Sequence, residues 1–275
     1  MPASSNPTRS PQAYWDATAE TYDRDFTSTL IGQLWRDAVW RELDRGFHRG
    51  QRVLELNCGT GIDAVHLANR GIRVLACDIS PRMIELACQR ASTVGVGECL
   101  DFRVLATEEI GVLKHEGLFD GAFSNFSGLN CVEELSAVRR NLAGLLKPHA
   151  PVFLCMLGRF VPWEILWYLA HEDRKKAFRR FERGGISSCE GTPKVQYPSR
   201  KEITHSFAPE FRLRKWRGIG IALPPSYMEH WARRLPQVMR VLAPVDRVIG
   251  CIPLLRSMAN LNLMAFERTK TPVGT

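Results

Sequence analysis

The chain has 275 residues, 45% hydrophobic and 24% charged, enough apolar material for a full core with room for an insertion. Its uncharged apolar stretches fall far short of the roughly 18 residues a membrane span needs, so none is expected. The charge is divided: residues 1–150 hold 16 basic and 19 acidic residues, and residues 151–275 hold 21 and 10. Such a basic half suits an anionic substrate, an acidic carrier protein, a membrane surface or nucleic acid, and a solvated helix surface accounts for it equally well.

Residues 1–12 are polar and proline-rich, lack the apolar run of a signal peptide, and read as a disordered tail. From Tyr14 to Phe26 aromatic and polar residues alternate, with Tyr14, Thr21 and Tyr22 near one helical face. Ser28 is placed to cap a longer helix carrying Leu30, Leu34, Ala38 and Leu43. A first strand over Arg52–Leu56 leads through a glycine turn to a helix over Ile62–Arg70, which Gly71 closes. Ile72–Cys77 is a second strand, and Ser80-Pro81 a helix start, a capping hydroxyl before a first-turn proline. Strands follow at Asp101–Leu105 and Phe119–Phe126, then a helix from Cys131 to Leu146, stopped by Lys147-Pro148, and a fifth strand at Val152–Leu157.

Strands alternating with helices predict an α/β fold with a doubly wound, mostly parallel sheet, its ligand at the carboxyl ends of the strands. After Gly158 the alternation breaks. A helix is expected over 159–185, a loop over 186–200, a short helix over 201–208 and a strand over Phe211–Trp216. Helices over Tyr227–Arg240 and Val245–Met258 and a final strand over Leu261–Phe266 complete the chain. This divides it into the tail, a core with N-terminal lid helices over 13–157, and over 158–275 a cap insertion plus the strands that complete the same sheet.

The first turn carries the most information. Residues 53–61 read Val-Leu-Glu-Leu-Asn-Cys-Gly-Thr-Gly, and the next strand ends on Asp78. The glycines let backbone approach a ligand, and an acid at that strand end accepts from both hydroxyls of a ribose. A dinucleotide turn would need a third glycine where Ala64 stands.

Glu55-x-Asn57-x-Gly59-x-Gly61 resembles motif I of the class I S-adenosylmethionine-dependent methyltransferases, with Asn57 in place of the first glycine. Other stations are similar. Asp78, Ile79 and Met83 resemble the segment that holds ribose and flanks adenine. Phe119 to Phe126, ending Ser124-Asn125-Phe126, resembles the strand beside the transferred methyl. Leu145-Leu146-Lys147-Pro148 resembles the turn before strand five, with His149-Ala150 for its glycine pair. Tyr22-Asp23 resembles the lid of small-molecule members. The family's adenine-contacting acid falls at Ala106, which shifts that contact to backbone, Thr107 or Glu108. The resemblance implies a seven-stranded Rossmann-like sheet, S-adenosyl-L-methionine as cofactor, and contacts from Tyr14, Tyr22, Glu55, Asn57, Gly59, Gly61, Asp78, Ile79, Met83, Thr107, Glu108, Ser124, Asn125 and Phe126.

Methyl transfer from a sulfonium asks mainly for alignment and a dry pocket, and a base only if the acceptor is a neutral hydroxyl. No residue declares itself that base. The weak catalytic candidates are Asn130, Glu164 and His171, and each also suits turn, helix-start or surface chemistry. Trp163, Trp167, Tyr168, Phe178 and Phe181 suit a cap over an apolar substrate as well as core packing. Arg179, Arg180 and Arg183 suit a clamp on a carboxylate or phosphate, or an outer face. The histidines lack ligand spacing and the eight cysteines lack Cys-x-x-Cys pairs, so no metal is expected, and the thiols read as reduced cysteines of a cytoplasmic protein.

The expected activity is methyl transfer to a small apolar or anionic metabolite, with acceptor atom and oligomeric state open. RNA or protein methylation is an alternative, made unlikely for nucleic acid by the absence of an appended RNA-binding motif. A non-catalytic binding protein that keeps the fold is another. A lipid-like substrate, with segments 160–183 and 227–256 resting on an anionic membrane, is a subsidiary expectation.

Overall fold

The computed structural model describes residues 10–182, 184–186 and 192–270. Most of the expected tail, residues 1–9, lies outside that range, as do Arg183 and Cys189. The tail's end is corrected: Pro11 and Gln12 open helix α1 (Pro11–Tyr22), because the Ser10 hydroxyl caps it with Pro11 in the first turn. One π-helical turn, Asp23–Thr27, follows, then α2 (Leu30–Gly46). Thr29, not Ser28, caps α2. Its hydroxyl accepts from the Gly32 N–H at 3.0 Å, while Glu229, distant in sequence, accepts from the Leu30 and Ile31 N–H groups.

The alternating region runs β1 (Arg52–Leu56), α3 (Ile62–Ala68), β2 (Arg73–Asp78), α4 (Pro81–Val94), β3 (Leu100–Val104), a 3₁₀ segment Thr107–Glu116, and β4 (Gly121–Ser124). A 3₁₀ turn Gly128–Cys131, α5 (Leu135–Leu145) and β5 (Pro151–Leu157) follow. Two expected elements shorten. The fourth strand pairs only over four residues, and the helix expected from Cys131 starts at Leu135, because the 3₁₀ turn presses Gly128 onto the Asn57 side chain. A Cβ on Gly128 would lie 2.3 Å from that of Asn57.

The expected helix over 159–185 is in fact α6 (Pro162–Ala170), α7 (Arg174–Phe178) and a 3₁₀ turn Arg179–Phe181. The break has a local cause: Glu172 is left-handed at φ 59°, and Asp173 caps α7 by accepting from the Lys176 N–H. Then come α8 (Arg200–Phe207), with a Ser199/Glu202 capping box, β6 (Phe211–Ile219), α9 (Glu229–Arg234), α10 (Pro236–Ile249) and β7 (Leu261–Arg268). The helix expected over Val245–Met258 ends at Ile249 because Gly250 packs against the Gly218 carbonyl, and only Leu255–Met258 turns again.

The strands form one seven-stranded sheet, β3-β2-β1-β4-β5-β7-β6. The first five pair in parallel and β7 runs antiparallel to both its neighbours, so the last strands do complete the same sheet. Strand order reverses between β1 and β4, where a crevice opens at the carboxyl ends. One apolar layer, with Leu54, Phe119, Leu142 and Phe207, packs one face, and a second, with Trp35, Val39, Phe47 and Phe153, packs the other.

Gly61 is a packing position. It has φ 72°, and a Cβ there would lie 2.7 Å from Ala87 Cβ and about 3 Å from the Phe102 ring. Gly61→Ala is expected to lower stability by about 2 kcal/mol, measurable by urea unfolding, from left-handed strain plus overpacking.

Candidate active site

The turn after β1 is left-handed at Asn57 (φ 56°), Gly59 (φ 52°) and Gly61. Asparagine is the non-glycine residue that best tolerates this conformation, so it stands in the glycine's place. The Ser124 hydroxyl donates to Asn57 Oδ1 at 3.2 Å and ties the turn to the end of β4. Asp78 closes the other side. Its Oδ2 accepts from the Gly59 N–H at 2.8 Å and its Oδ1 from the Ser80 N–H at 3.0 Å. Burial pushes its carboxyl up, against those two N–H groups. A carboxylate has about four acceptor directions, more than these two N–H groups fill.

A cleft lies over this turn. Its floor is Asn57, Gly59 and Asp78, its apolar side is Ile79 and Met83, and Thr107 and Glu108 edge it. Asn125 and Phe126 close one end, and Tyr14, Trp15 and Tyr22 of α1 cover it. Cys131, Pro193 and Val195 line it too, unanticipated because Ile186 and Val195 pair as an isolated bridge that brings their segment alongside. The lid is tied down: Asp16 accepts from the Ser80 hydroxyl at 2.5 Å, and Asp23 accepts from Thr60 Oγ1 and pairs with Arg90.

Three expected contacts are corrected, because none lines the cleft. Gly61 is the packing position above. Ser124 supports Asn57 from behind. Glu55 lies beneath the turn, 1% exposed, with Oε2 unpaired. Burial, then the neighbouring Asp63, pushes its carboxyl well above the ordinary range. The folded state therefore holds this proton where the unfolded chain releases it, so stability falls as pH rises above the unfolded value. Glu55→Gln is expected to remove that loss. Its stability advantage over wild type should grow by up to about 1.4 kcal/mol per pH unit above pH ~4.5, read by urea unfolding across pH.

A buried hub supports the Asn125 end of the cleft. Asp63 accepts from Trp40 Nε1 at 2.6 Å, Arg36 Nη1 at 2.7 Å and Asn125 Nδ2 at 3.0 Å. Arg36 lies 4.4 Å over the Phe126 ring, and Phe126 meets Phe26 edge-on at 5.1 Å. Phe126 and Ser127 are both left-handed, at φ 47° and 69°, a costly conformation for a phenylalanine. That bend turns Phe126 into the wall between the cleft and a second cavity.

The second cavity is walled by Trp15, Tyr22, Phe26, Trp35 and Phe126, with Tyr197 and Tyr227 opposite. Burial raises the Tyr22 phenol to about 12 and also raises that of Tyr227, so both stay neutral hydroxyls near pH 7. At one side Glu164, 1% exposed, pairs with Arg179 at 2.9 Å and Arg180 at 2.6 Å. Arg180 also donates to Gly158 O and Asn260 Oδ1, which commits four of its five N–H donors, whereas Arg179 is 28% exposed.

The catalytic candidates resolve structurally. Glu164 is held by two guanidiniums and is not a free base. Asn130, fully buried, accepts from the Leu157 N–H and donates to Gln196 O, a brace outside both linings. His171 is exposed against Trp167 and also lies outside them. Of the arginines, Arg179 and Arg180 do face the cavity. Among the described residues, no cluster of His, Cys, Asp and Glu could hold a metal ion, and no helix is long and apolar enough to cross a membrane.

The sheet order, the left-handed turn and the acid at the next strand end define a Rossmann-like α/β fold with a cleft at the strands' carboxyl ends. Residues 53–149 match the family described as "Methyltransferase domain". Over 100 residues, 35% of the chain, it is 34% identical to the tRNA 5-carboxymethoxyuridine methyltransferase of Escherichia coli (strain K12), covering 38% of that protein. Over 110 residues, 40% of the chain, it is 34% identical to the ubiquinone biosynthesis O-methyltransferase of Xanthomonas axonopodis pv. citri (strain 306), covering 44%. The chain thus spans about two-fifths of the length of these curated relatives. Among solved structures, the CcbJ methyltransferase from Streptomyces caelestis superposes with a TM-score of 0.62 at 14% identity, over 94% of this chain and 99% of that one, which is a likeness of fold.

Proposed function

We propose that the protein transfers the methyl group of S-adenosyl-L-methionine to a small metabolite with an apolar body and an acidic group, held in the aromatic cavity. The observation that carries this reading is the shared wall: Trp15, Tyr22, Phe126 and Ser127 line both the cofactor cleft and the second cavity. Bound in the cleft, the cofactor supplies a methyl already activated by its sulfonium. The chain's residues do the rest. Asp78 has acceptor directions for ribose, Gly59 leaves the backbone open, and Ile79 and Met83 offer apolar surface to adenine. The aromatic walls exclude water, which favours a step in which an anion and a sulfonium both lose charge. One carboxylate between two guanidiniums leaves the cavity net positive, and Arg179 is the partner with donors to spare.

Among the described residues neither lining contains a histidine or lysine, so an acceptor that ionises by itself, a thiolate, phenolate or carboxylate, suits the site better than an alcohol. The test begins with calorimetric titration of S-adenosyl-L-methionine and its demethylated product, followed by radiolabelled methyl transfer into fractions of a cell extract. Binding and label in the acidic small-molecule fraction are expected. Failure to bind either nucleoside would sink the enzyme reading, and label confined to RNA would favour a tRNA substrate, as the named activity of one relative suggests.

A further inference from the structure

Helix α10 presents an apolar stripe to solvent, directly opposite the core. Its inner side is Met239, Leu242, Ala243 and Asp246, packed or buried. Asp246 accepts backbone N–H groups of Gly220, Ile221 and Ala222 and fixes the helix's rotation. The outer side is Val238, Val241, Val245 and Val248, 45–67% exposed. The spacing of three, four and three residues puts all four on one line. Beyond the helix's ends, Trp231, Leu235, Ile252 and Leu254 are exposed as well, at 42–71%. Valine is a mediocre helix former, so helix propensity does not explain the stripe. Four exposed valines on one line of a helix mark a contact surface.

The charge beside it indicates the occupant. Residues 230–258 contain five arginines and one acid, and that acid is the buried Asp246. Arg234, Arg240 and Arg247 have no acidic partner among the described residues, so the stripe is bordered by uncompensated positive charge. A second copy of the same face would bring like charges together. An anionic lipid surface would take the valines into its acyl boundary while the arginine heads reach its phosphates. We infer that α10 is a docking face for an anionic membrane surface. The inference is independent of the methyl-transfer reading. It has one consequence for it: Pro225–Tyr227, which line the second cavity, immediately precede α9 and α10, so docking holds that cavity's rim at the lipid.

The test is co-sedimentation of the full chain with vesicles of phosphatidylglycerol and phosphatidylcholine in equal parts, against phosphatidylcholine alone. Wild type is expected to pellet with the anionic vesicles only, and to be released by salt. The double variant V241D/V248D, changed only at solvent-facing positions, is expected to lose at least tenfold in vesicle affinity with an unchanged circular dichroism spectrum and unchanged calorimetric binding of S-adenosyl-L-methionine. No pelleting overturns the inference, and so does equal pelleting with both vesicle types. A dimer in light scattering that V241D/V248D converts to monomer, without vesicle binding, assigns the face to a second copy instead and likewise overturns it.

Discussion

Asp63→Ala should cost the fold about 3–5 kcal/mol, lowering the melting temperature by about 10 °C, because it leaves the Arg36 guanidinium buried without its counter-charge. Arg36 and Asp63 are 4% and 5% exposed, so water cannot replace the lost partner. Trp40 Nε1 and Asn125 Nδ2 lose their acceptor in the same change. The second readout is functional. Asn125 closes one end of the cleft, and its amide donates to Asp63 Oδ2 at 3.0 Å. Calorimetry at a temperature where the variant stays folded should therefore show weaker cofactor binding. Arg36→Met combined with Asp63→Ala should recover part of the stability, since an uncharged pair is cheaper to bury than one orphaned charge, but not the affinity. A loss below about 1 kcal/mol in Asp63→Ala would show that the hub is not what holds the β4 end.

Asp78→Ala should weaken binding of S-adenosyl-L-methionine by about 100-fold, the loss of two hydrogen bonds to a carboxylate, or roughly 3 kcal/mol. The same change orphans the Gly59 and Ser80 N–H groups, so a smaller loss of stability is expected with it. Asp78→Asn separates the two effects. Its amide oxygen keeps one backbone acceptor, while its NH₂ replaces an acceptor with a donor, so folding should suffer less than affinity. Because burial raises the Asp78 carboxyl, wild-type affinity should also decline on acidification earlier than an ordinary aspartate would allow. Isothermal titration at several pH values checks both, and an Asp78→Ala affinity within threefold of wild type would remove Asp78 from the ribose site.

Much of the turn and strand end that floor the cleft was legible in the sequence because its signals are local. Left-handed positions accept few residue types, so Asn57, Gly59 and Gly61 declare a turn without reference to the rest of the chain. Ser80-Pro81 declares a helix start, and the Ser80 hydroxyl does accept from the Met83 N–H. The acid at the end of β2 follows from strand periodicity. Asp173 carried an equally local signal, a helix cap that splits α6 from α7, obscured by the apolar periodicity around it.

What the sequence by itself determined was therefore the alternating architecture of residues 52–157 and the floor of the cofactor cleft, each set by backbone sterics and the two- and 3.6-residue periods. Which side chains meet was decided only by the tertiary structure. Arg36 and Asp63 sit on different helices, and nothing local marks either as the other's partner. Ser124 and Glu55 stand in the right strands yet behind the cleft wall, because successive side chains of a strand point to opposite faces and the turn covers one of them. Glu164 was a weak base candidate that equally suited a helix start, and the 3₁₀ turn after α7 brings two arginines to it. The sequence marked 227–256 as an apolar and basic segment, but which face of α10 points outward is set by Asp246 against Gly220–Ala222. Pairing at long range depends on how elements pack, and that information is spread over the whole core, not held in any one segment.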